Sequence, residues 1–289
     1  MRELERQQPR RAGLSAPPPI TVIGQGRVGR ALTRALDGAG YEVELAGREG
    51  LAAAAERAEV AILAVPDGAI AAVCEAVASV ADPPRMIGHC SGATGLDALD
   101  AALGVGASAF SIHPLQAISA SAQGDPLLGA PCAVSGSDPA TLELASLLAQ
   151  RIGMRPFRFD ESARAAYHAA ASIASNFLVA LEESACELLT AAGVAGGREA
   201  RELLAPLVLQ SAATWAEQGR AGLTGPIARG DEATVARHIA AIDQTAPQLA
   251  ELYTALARRT RAIAAAGPTN PGDSSERPIL PALGEAITA

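Results

Sequence analysis

The segment Gly24-Gln25-Gly26-Arg27-Val28-Gly29 limits this chain more than any other. The apolar run 20–23 leads straight into it, and an amphipathic stretch over 27–38 follows. A strand that turns into a helix through three glycines at this spacing builds a dinucleotide-binding unit. Gly24 allows the tight turn. Gly26 lets the backbone approach a pyrophosphate, and Gly29 lets the helix pack on the sheet. The N-terminal end of the helix favours phosphate charge, so Gln25, Arg27 and Val28 are expected beside the same ligand. The other reading of the segment is a glycine-rich turn that holds nothing.

Downstream, short apolar runs at 42–46, 60–65, 86–89, 107–113, 132–135 and 155–159 are separated by stretches such as 67–79 that are amphipathic or rich in alanine. Strand then helix, repeated, predicts a parallel sheet covered on both faces. Residues 161–266 contain no strand-like run. One helix of about 30 residues, or roughly 45 Å, is expected over 162–192. Further helices are expected over 198–218, kinked at Pro206, over 232–243, and over 247–266 with Pro247 as first residue. The predicted class is an α/β Rossmann-like parallel-sheet domain at 19–160, followed by an all-α domain at 161–266. The Arg-, Gln- and Pro-rich stretch 1–18 and the turn-rich stretch 267–289 are expected to be disordered tails.

The second strand bears on which nucleotide binds. An NAD site commonly ends this strand with an acid that binds the ribose 2′-hydroxyl. Here Val43-Glu44-Leu45-Ala46 runs into Gly47-Arg48. An arginine there welcomes a 2′-phosphate, so NADP (NADPH) is the expected cofactor. The alternative for Arg48 is a solvated loop charge. The next apolar run ends in Val65-Pro66-Asp67, and the Val65–Pro66 backbone is expected against the cofactor, with Asp67 as a helix cap.

Composition removes several chemistries. All 23 basic residues are arginine, so Schiff-base chemistry, a lysine acid and a P-loop lysine are impossible. The net charge of −8 argues against a nucleic-acid surface, though not against a local arginine holding a small anion. No segment of about 20 residues is apolar enough to span a bilayer. Cys74, Cys90, Cys132 and Cys186 form no CxxC or CxxH cluster, and the N-terminus is charged. No metal site is expected, and a reducing cytoplasm is.

Six motifs occur in order: VIGQGRVG, AVPD, HCSG, HPLQ, YHAAASIASN and LTGPIARGD. Together, over about residues 19–266, they resemble oxidoreductases with a Rossmann-like NADP-binding domain and a helical C-terminal domain of unknown function. More distantly the chain is similar to pyrroline-5-carboxylate reductase, ketopantoate reductase and the 6-phosphogluconate dehydrogenase-like enzymes. That resemblance implies a helical dimerisation domain, a substrate site in the cleft between the domains, and ketopantoate as one substrate to try. Many enzymes of the wider group carry a lysine and an asparagine one turn apart on the first long helix of the second domain. Here the matching spacing is Ser172 and Asn176. The asparagine is kept, but lysine-based catalysis does not carry over.

Carbonyl or imine reduction needs a donor for the charge that develops on the substrate. His113 ends an apolar run and precedes Pro114, at the strand end where ligands bind in such sheets. The HP dipeptide there also resembles prephenate dehydrogenases, whose histidine is catalytic. His168, Ser172 and Asn176, spaced i, i+4, i+8, form one polar stripe on the expected helix within an arc of roughly 80°. Their alanine-rich surroundings suggest burial, and a substrate is one partner such groups could take. Interhelical bonding is the other. Tyr167 points about 100° away and reads as packing.

His113, His168 and Asn176 are therefore the catalytic candidates. Ser91 and Gly92, in the turn after His89, are candidates for substrate contact, with Ser172. Arg229, in a Gly- and Pro-rich loop, is a candidate clamp for a substrate carboxylate, and Asp231 a candidate helix cap. The predicted function is an NADP-dependent oxidoreductase that reduces a small carbonyl or imine carboxylic acid. The expected partners are that small molecule and a second copy of the chain in a homodimer. Two other readings stay open: an NADP-binding sensor or scaffold without turnover, and a reductase using another hydride partner such as a deazaflavin.

Overall fold

The computed structural model describes residues 17–119 and 125–267. Apart from residues 17, 18 and 267, the expected tails lie outside the described residues. The described chain divides into two compact units between Ile173 and Ala174.

The first unit is built on one seven-stranded sheet. Its strands are β1 (Ile20–Ile23), β2 (Val43–Ala46), β3 (Val60–Leu63), β4 (Met86–His89), β5 (Ser108–Pro114), β6 (Pro131–Gly136) and β7 (Arg155–Phe157). Their order is β2-β1-β3-β4-β5-β6-β7. The chain leaves β1 for one side and returns to the other, which opens a crevice at the carboxyl end of β1. Ile23 lies beside Leu63, Leu63 beside His89, and His89 beside Ser111. The residues that follow these pairs, including Gly24, Ala64, Cys90 and His113, therefore emerge along one edge.

The sheet departs from the expected parallel arrangement at one place. β6 runs antiparallel to β5, with Phe110 opposite Gly136 and Pro114 opposite Cys132. A strand buried on both faces is a continuous apolar run in either direction, so its composition carries no sense of direction.

The sheet is covered on both faces, because alternate residues of each strand point to opposite sides. Ile20, Val22, Ile62, Phe110 and Ile112 join one core with the apolar face of helix α1 (Arg27–Gly38) and with Ala145 and Ala149 of α5 (Pro139–Arg151). Ile23, Ala61, Leu63, Ile87 and Ala109 join the other. That side is closed by α2 (Leu51–Glu56), α3 (Ile70–Ala78) and α4 (Asp100–Gly104). At the start of α5, Asp138 accepts hydrogen bonds from the amides of Ala140 and Thr141, and Pro139 takes the first helical position.

The expected 30-residue helix is two helices, α6 (Arg164–Ala174) and α7 (Asn176–Ala191). Ser175, at φ −123° and ψ −73°, leaves the helical region between them. The second unit continues with α8 (Gly197–Gln218), which runs through Pro206, then α9 (Glu232–Thr245) and α10 (Ala250–Ala265). Asp231 caps α9 by accepting from the Thr234 amide at 3.0 Å. A small cluster of Cys186, Ala195 and Ala200 is buried between α7 and α8. No described helix is long and apolar enough to cross a membrane.

Candidate functional site

The glycine turn is built as its spacing predicts. Gly24 has φ +124°, and a side chain there would meet the Ala64 carbonyl oxygen at 2.2 Å. A Cβ on Gly29 would lie 1.8 Å from the Gly24 oxygen, so helix and turn pack where only hydrogen fits. Gly26 is different: nothing lies within 4 Å of an added Cβ. It is the N-cap of α1, no side chain caps the helix, and no acid lies in its first turn. The start of α1 thus has room at Gly26 and neither a side-chain cap nor an acid in its first turn, which fits a pyrophosphate. Gln25, Arg27 and Val28 sit in this turn. The Gln25 carbonyl is held by Arg30 Nε at 2.9 Å, and its side chain lies over Gly47.

Arg48 is exposed just beyond β2 and pairs with no described residue. The acid within β2, Glu44, is already engaged by Arg57 at 2.7 Å. Val65 and Pro66 leave β3 beside the turn; the Val65 side chain comes within 3.3 Å of where a Gly24 Cβ would lie.

Farther along the same edge, four groups meet where β5 ends and α6 begins. His113 Nδ1 and the Tyr167 hydroxyl are hydrogen-bonded at 2.6 Å, with their rings edge-on. The His168 ring is 6.3 Å from that of His113, centroid to centroid. The His113 ring also lies flat against Gly92, where a Cβ would be 2.6 Å from it. Burial, and then the neighbouring His168 and Arg164 charges, push His113 down to about 4. Its imidazole is neutral at ordinary pH. Burial raises Tyr167 to about 12, so its hydroxyl keeps its proton.

Arg164 anchors this corner. It is only 6% exposed, yet charged. Its Nε donates to Glu161 Oε2 at 2.6 Å, and its Nη2 donates to Glu161 Oε1 at 2.7 Å and Ser135 Oγ at 3.0 Å. The Ser135 hydroxyl bonds Glu161 in turn. The hydrogen bonds from Arg164 hold the Glu161 carboxyl below its ordinary range. The guanidinium also lies over the Phe159 ring, and Phe159 packs 4.6 Å from Tyr167. Arg164 Nη1 and His168 Nδ1 are buried without a hydrogen-bond partner among the described residues.

The His113 and His168 rings lie near each other, at the end of β5 and on α6. Tyr167, read as packing, is the direct partner of His113, and Arg164 carries no mark in the sequence. Tyr167 and His168 are adjacent on α6, and both side chains come near His113 despite the angle between them on the helix. Ser172 is half-buried on α6, one turn beyond His168. The stripe stops there. Because the helix breaks at Ser175, Asn176 starts α7, is exposed, and accepts a hydrogen bond from the Ser175 hydroxyl at 3.0 Å. Arg229 is exposed in the turn before α9.

Ser91 is committed elsewhere. Its hydroxyl donates to Thr94 Oγ1 and accepts from the Ala93 and Thr94 amides, closing the turn after β4. His89 is fully buried and doubly bonded: Nδ1 accepts from the Ser91 amide, so Nε2 donates to the Gly95 carbonyl. Both side chains build the turn that presents Gly92 to His113.

Two family models match the chain. The Rossmann-like domain matches residues 44–114, and the domain of unknown function DUF2520 matches residues 130–260. Among solved structures, a Bacteroides fragilis protein provisionally named as an NADP oxidoreductase is 21% identical. The match covers 86% of this chain and 99% of that one, with a TM-score of 0.71. A Thermotoga maritima protein is 23% identical over 86% of this chain and 98% of its own, with a TM-score of 0.66. The 1-pyrroline-5-carboxylate reductase of Streptococcus pyogenes is 17% identical over 88% and 100%, with a TM-score of 0.58. At these identities the likeness is one of fold. No curated protein matches.

Proposed function

For a chain that carries a Rossmann-like domain followed by a DUF2520 domain, we propose an NADP-dependent oxidoreductase that reduces a small carbonyl or imine carboxylic acid. The observation that carries this reading is His113, on the sheet edge that also holds the glycine turn, with the His168 ring of α6 6.3 Å from its own. Similar solved structures are named as an NADP oxidoreductase and a pyrroline-5-carboxylate reductase, which agrees with it. Gly24, Gly26 and the first amides of α1 hold the pyrophosphate, with Val65 and Pro66 alongside. Arg48 receives the 2′-phosphate. The bound nicotinamide supplies hydride.

His113 and His168 serve the developing negative charge. A neutral His113 offers an N–H to the substrate oxygen or nitrogen, as an uncharged electrophile does. Arg164 Nη1 is a further donor for a bound acceptor, and His168 Nδ1 a further polar group without a partner among the described residues. Ser172 and Gly92 shape the same corner. Arg229 holds the substrate carboxylate and Asn176 orients the substrate. The functional unit is a homodimer in the cytoplasm.

Two measurements test this reading. Calorimetry should show NADPH binding more tightly than NADH, with Arg48→Glu reversing the order. Equal affinities in the parent would remove Arg48 from the site. NADPH oxidation should be followed with 2-oxo acids, ketopantoate first, and with cyclic imine acids. Tight NADPH binding without turnover on any of them would favour the sensor reading, to which the missing lysine also points.

A further inference from the structure

The hydrogen bond between His113 and Tyr167 has a preferred direction. A neutral imidazole has one donor and one acceptor nitrogen, and a phenol has one proton to give. If Nδ1 carried the proton and donated to Tyr167, the phenolic proton would have no acceptor among the described residues. Nε2 would then be a second unpaired group. If Tyr167 donates instead, both ends of the bond are satisfied. The proton of the imidazole must then sit on Nε2, the nitrogen that no described residue engages.

The geometry points to Tyr167 as the residue that fixes His113 as the Nε2–H tautomer and supplies, through it, the proton that completes reduction. The inference rests on the reductase reading for its second half only. A neutral imidazole that simply gave up its Nε2 proton would become an imidazolate, a far stronger base than a phenolate. Tyr167 removes that obstacle.

As negative charge develops on the substrate oxygen, the Nε2–H bond breaks and a substrate O–H bond forms. At the same time the Tyr167 O–H bond breaks and an Nδ1–H bond forms. Charge is conserved: the alkoxide becomes an alcohol and the phenol becomes a phenolate. One solvent proton then adds to Nε2, the Nδ1 proton returns to Tyr167, and the pair is reset. The chain already holds a cation for the transient phenolate. The Arg164 charge acts on Tyr167 in the direction that favours ionisation, while burial and Cys132 oppose it.

The support behind Tyr167 is consistent with a residue that must keep its aim. Its ring is flanked by Phe159 and Phe157, at 4.6 and 6.0 Å, and Phe159 is covered by the Glu161-bound Arg164. Gly92 faces the His113 ring where a Cβ would be 2.6 Å away, so the absence of a side chain leaves the imidazole room to lie flat. Tyr167 is thus a positioning residue that works through His113.

The test needs no substrate for its first arm. In the full-length protein with ¹⁵N-labelled histidine, long-range ¹H–¹⁵N correlation at neutral pH reads the His113 tautomer. The expected result is Nε2–H in the parent and a mixture of tautomers in Tyr167→Phe. Nδ1–H in the parent would overturn the inference. In the second arm, Tyr167→Phe should lower kcat by ~10²-fold with KM little changed, within the range for losing a general acid. Unchanged kcat would overturn the proton supply. If no carbonyl or imine is turned over by the parent, the reductase reading fails and the tautomer arm still decides the role of Tyr167.

Discussion

A methyl group at Gly24 would sit 2.2 Å from the Ala64 oxygen on a residue at φ +124°, whereas the same group at Gly26 meets nothing. The two glycines of one turn therefore answer to different demands. Gly24→Ala should cost on the order of 3 kcal/mol of stability, read by urea unfolding. Gly26→Ala should unfold like the parent but bind NADPH about tenfold or more weakly, because only the ligand comes close to that position. Equal effects on folding would show that Gly26 is a structural glycine. His113 permits a second test at this scale. Its pKa is about 4 in the folded chain against an ordinary 6.5, so between those values the unfolded chain binds a proton that the folded one does not. Stability must then rise with pH across that window, by on the order of 3 kcal/mol from this residue. His89, also lowered by burial, adds in the same sense. His113→Gln should flatten the rise in unfolding free energy between pH 4 and 6.5 without abolishing it. The positions of His113 and His168, at a strand end and one turn into a helix, are legible because each has a sequence signature. The contact of Tyr167 with His113 is not, since it depends on where α6 meets the end of β5, a tertiary fact with no local pattern.

The elements follow the sequence where the chain's own chemistry dictates them. The strand runs are found within two residues of their expected ends, and Asp138-Pro139 and Asp231 start helices as cap residues do. Two features escaped. The direction of β6 depends on its partner, and the break at Ser175 falls inside Ala-Ser-Ile-Ala-Ser, a stretch with no glycine or proline to mark it. The first turn of α6 is instead secured by a contact made at a distance. Arg164 reaches Glu161 and, through Nη2, Ser135 of β6, so the helix start is fixed to the sheet. A buried arginine without its carboxylate is costly, while removing both charges together costs less. Because Glu161 is half exposed, water shares the loss. Glu161→Gln should therefore destabilise the chain by about 1–3 kcal/mol, and Glu161→Gln with Arg164→Met by less than the sum of the single changes. Denaturant unfolding of the three variants measures this; strict additivity would mean the pair does not act as one anchor.

The second unit has too little interior for its apolar content. Its buried residues are small and few, chiefly Cys186, Ala195, Ala200, Ala216, Val235, Ile242, Ala246 and Ala257. Phe177 on α7, and Leu207 and Trp215 on α8, are 61, 65 and 69% exposed among the described residues. Leu203 lies one turn before Leu207, so α8 presents an apolar stripe and not a scattered pair. A second copy of the chain offers the same surface, and a two-fold axis lets one patch cover its twin. The parent is expected to sediment at twice the 29.2 kDa chain mass at micromolar concentration. Leu207→Glu adds a charge to a position that is already open in one copy, so each copy should keep its fold. The same charge facing its twin across the axis should return the protein to the chain mass. If the parent instead sediments as a single chain, the stripe must be covered from within. Residues 268–289, with Ile279, Leu280 and Leu283, are then the segment to remove. A protein truncated after residue 267 that now associates would place that segment on α8, and the homodimer expectation would be wrong.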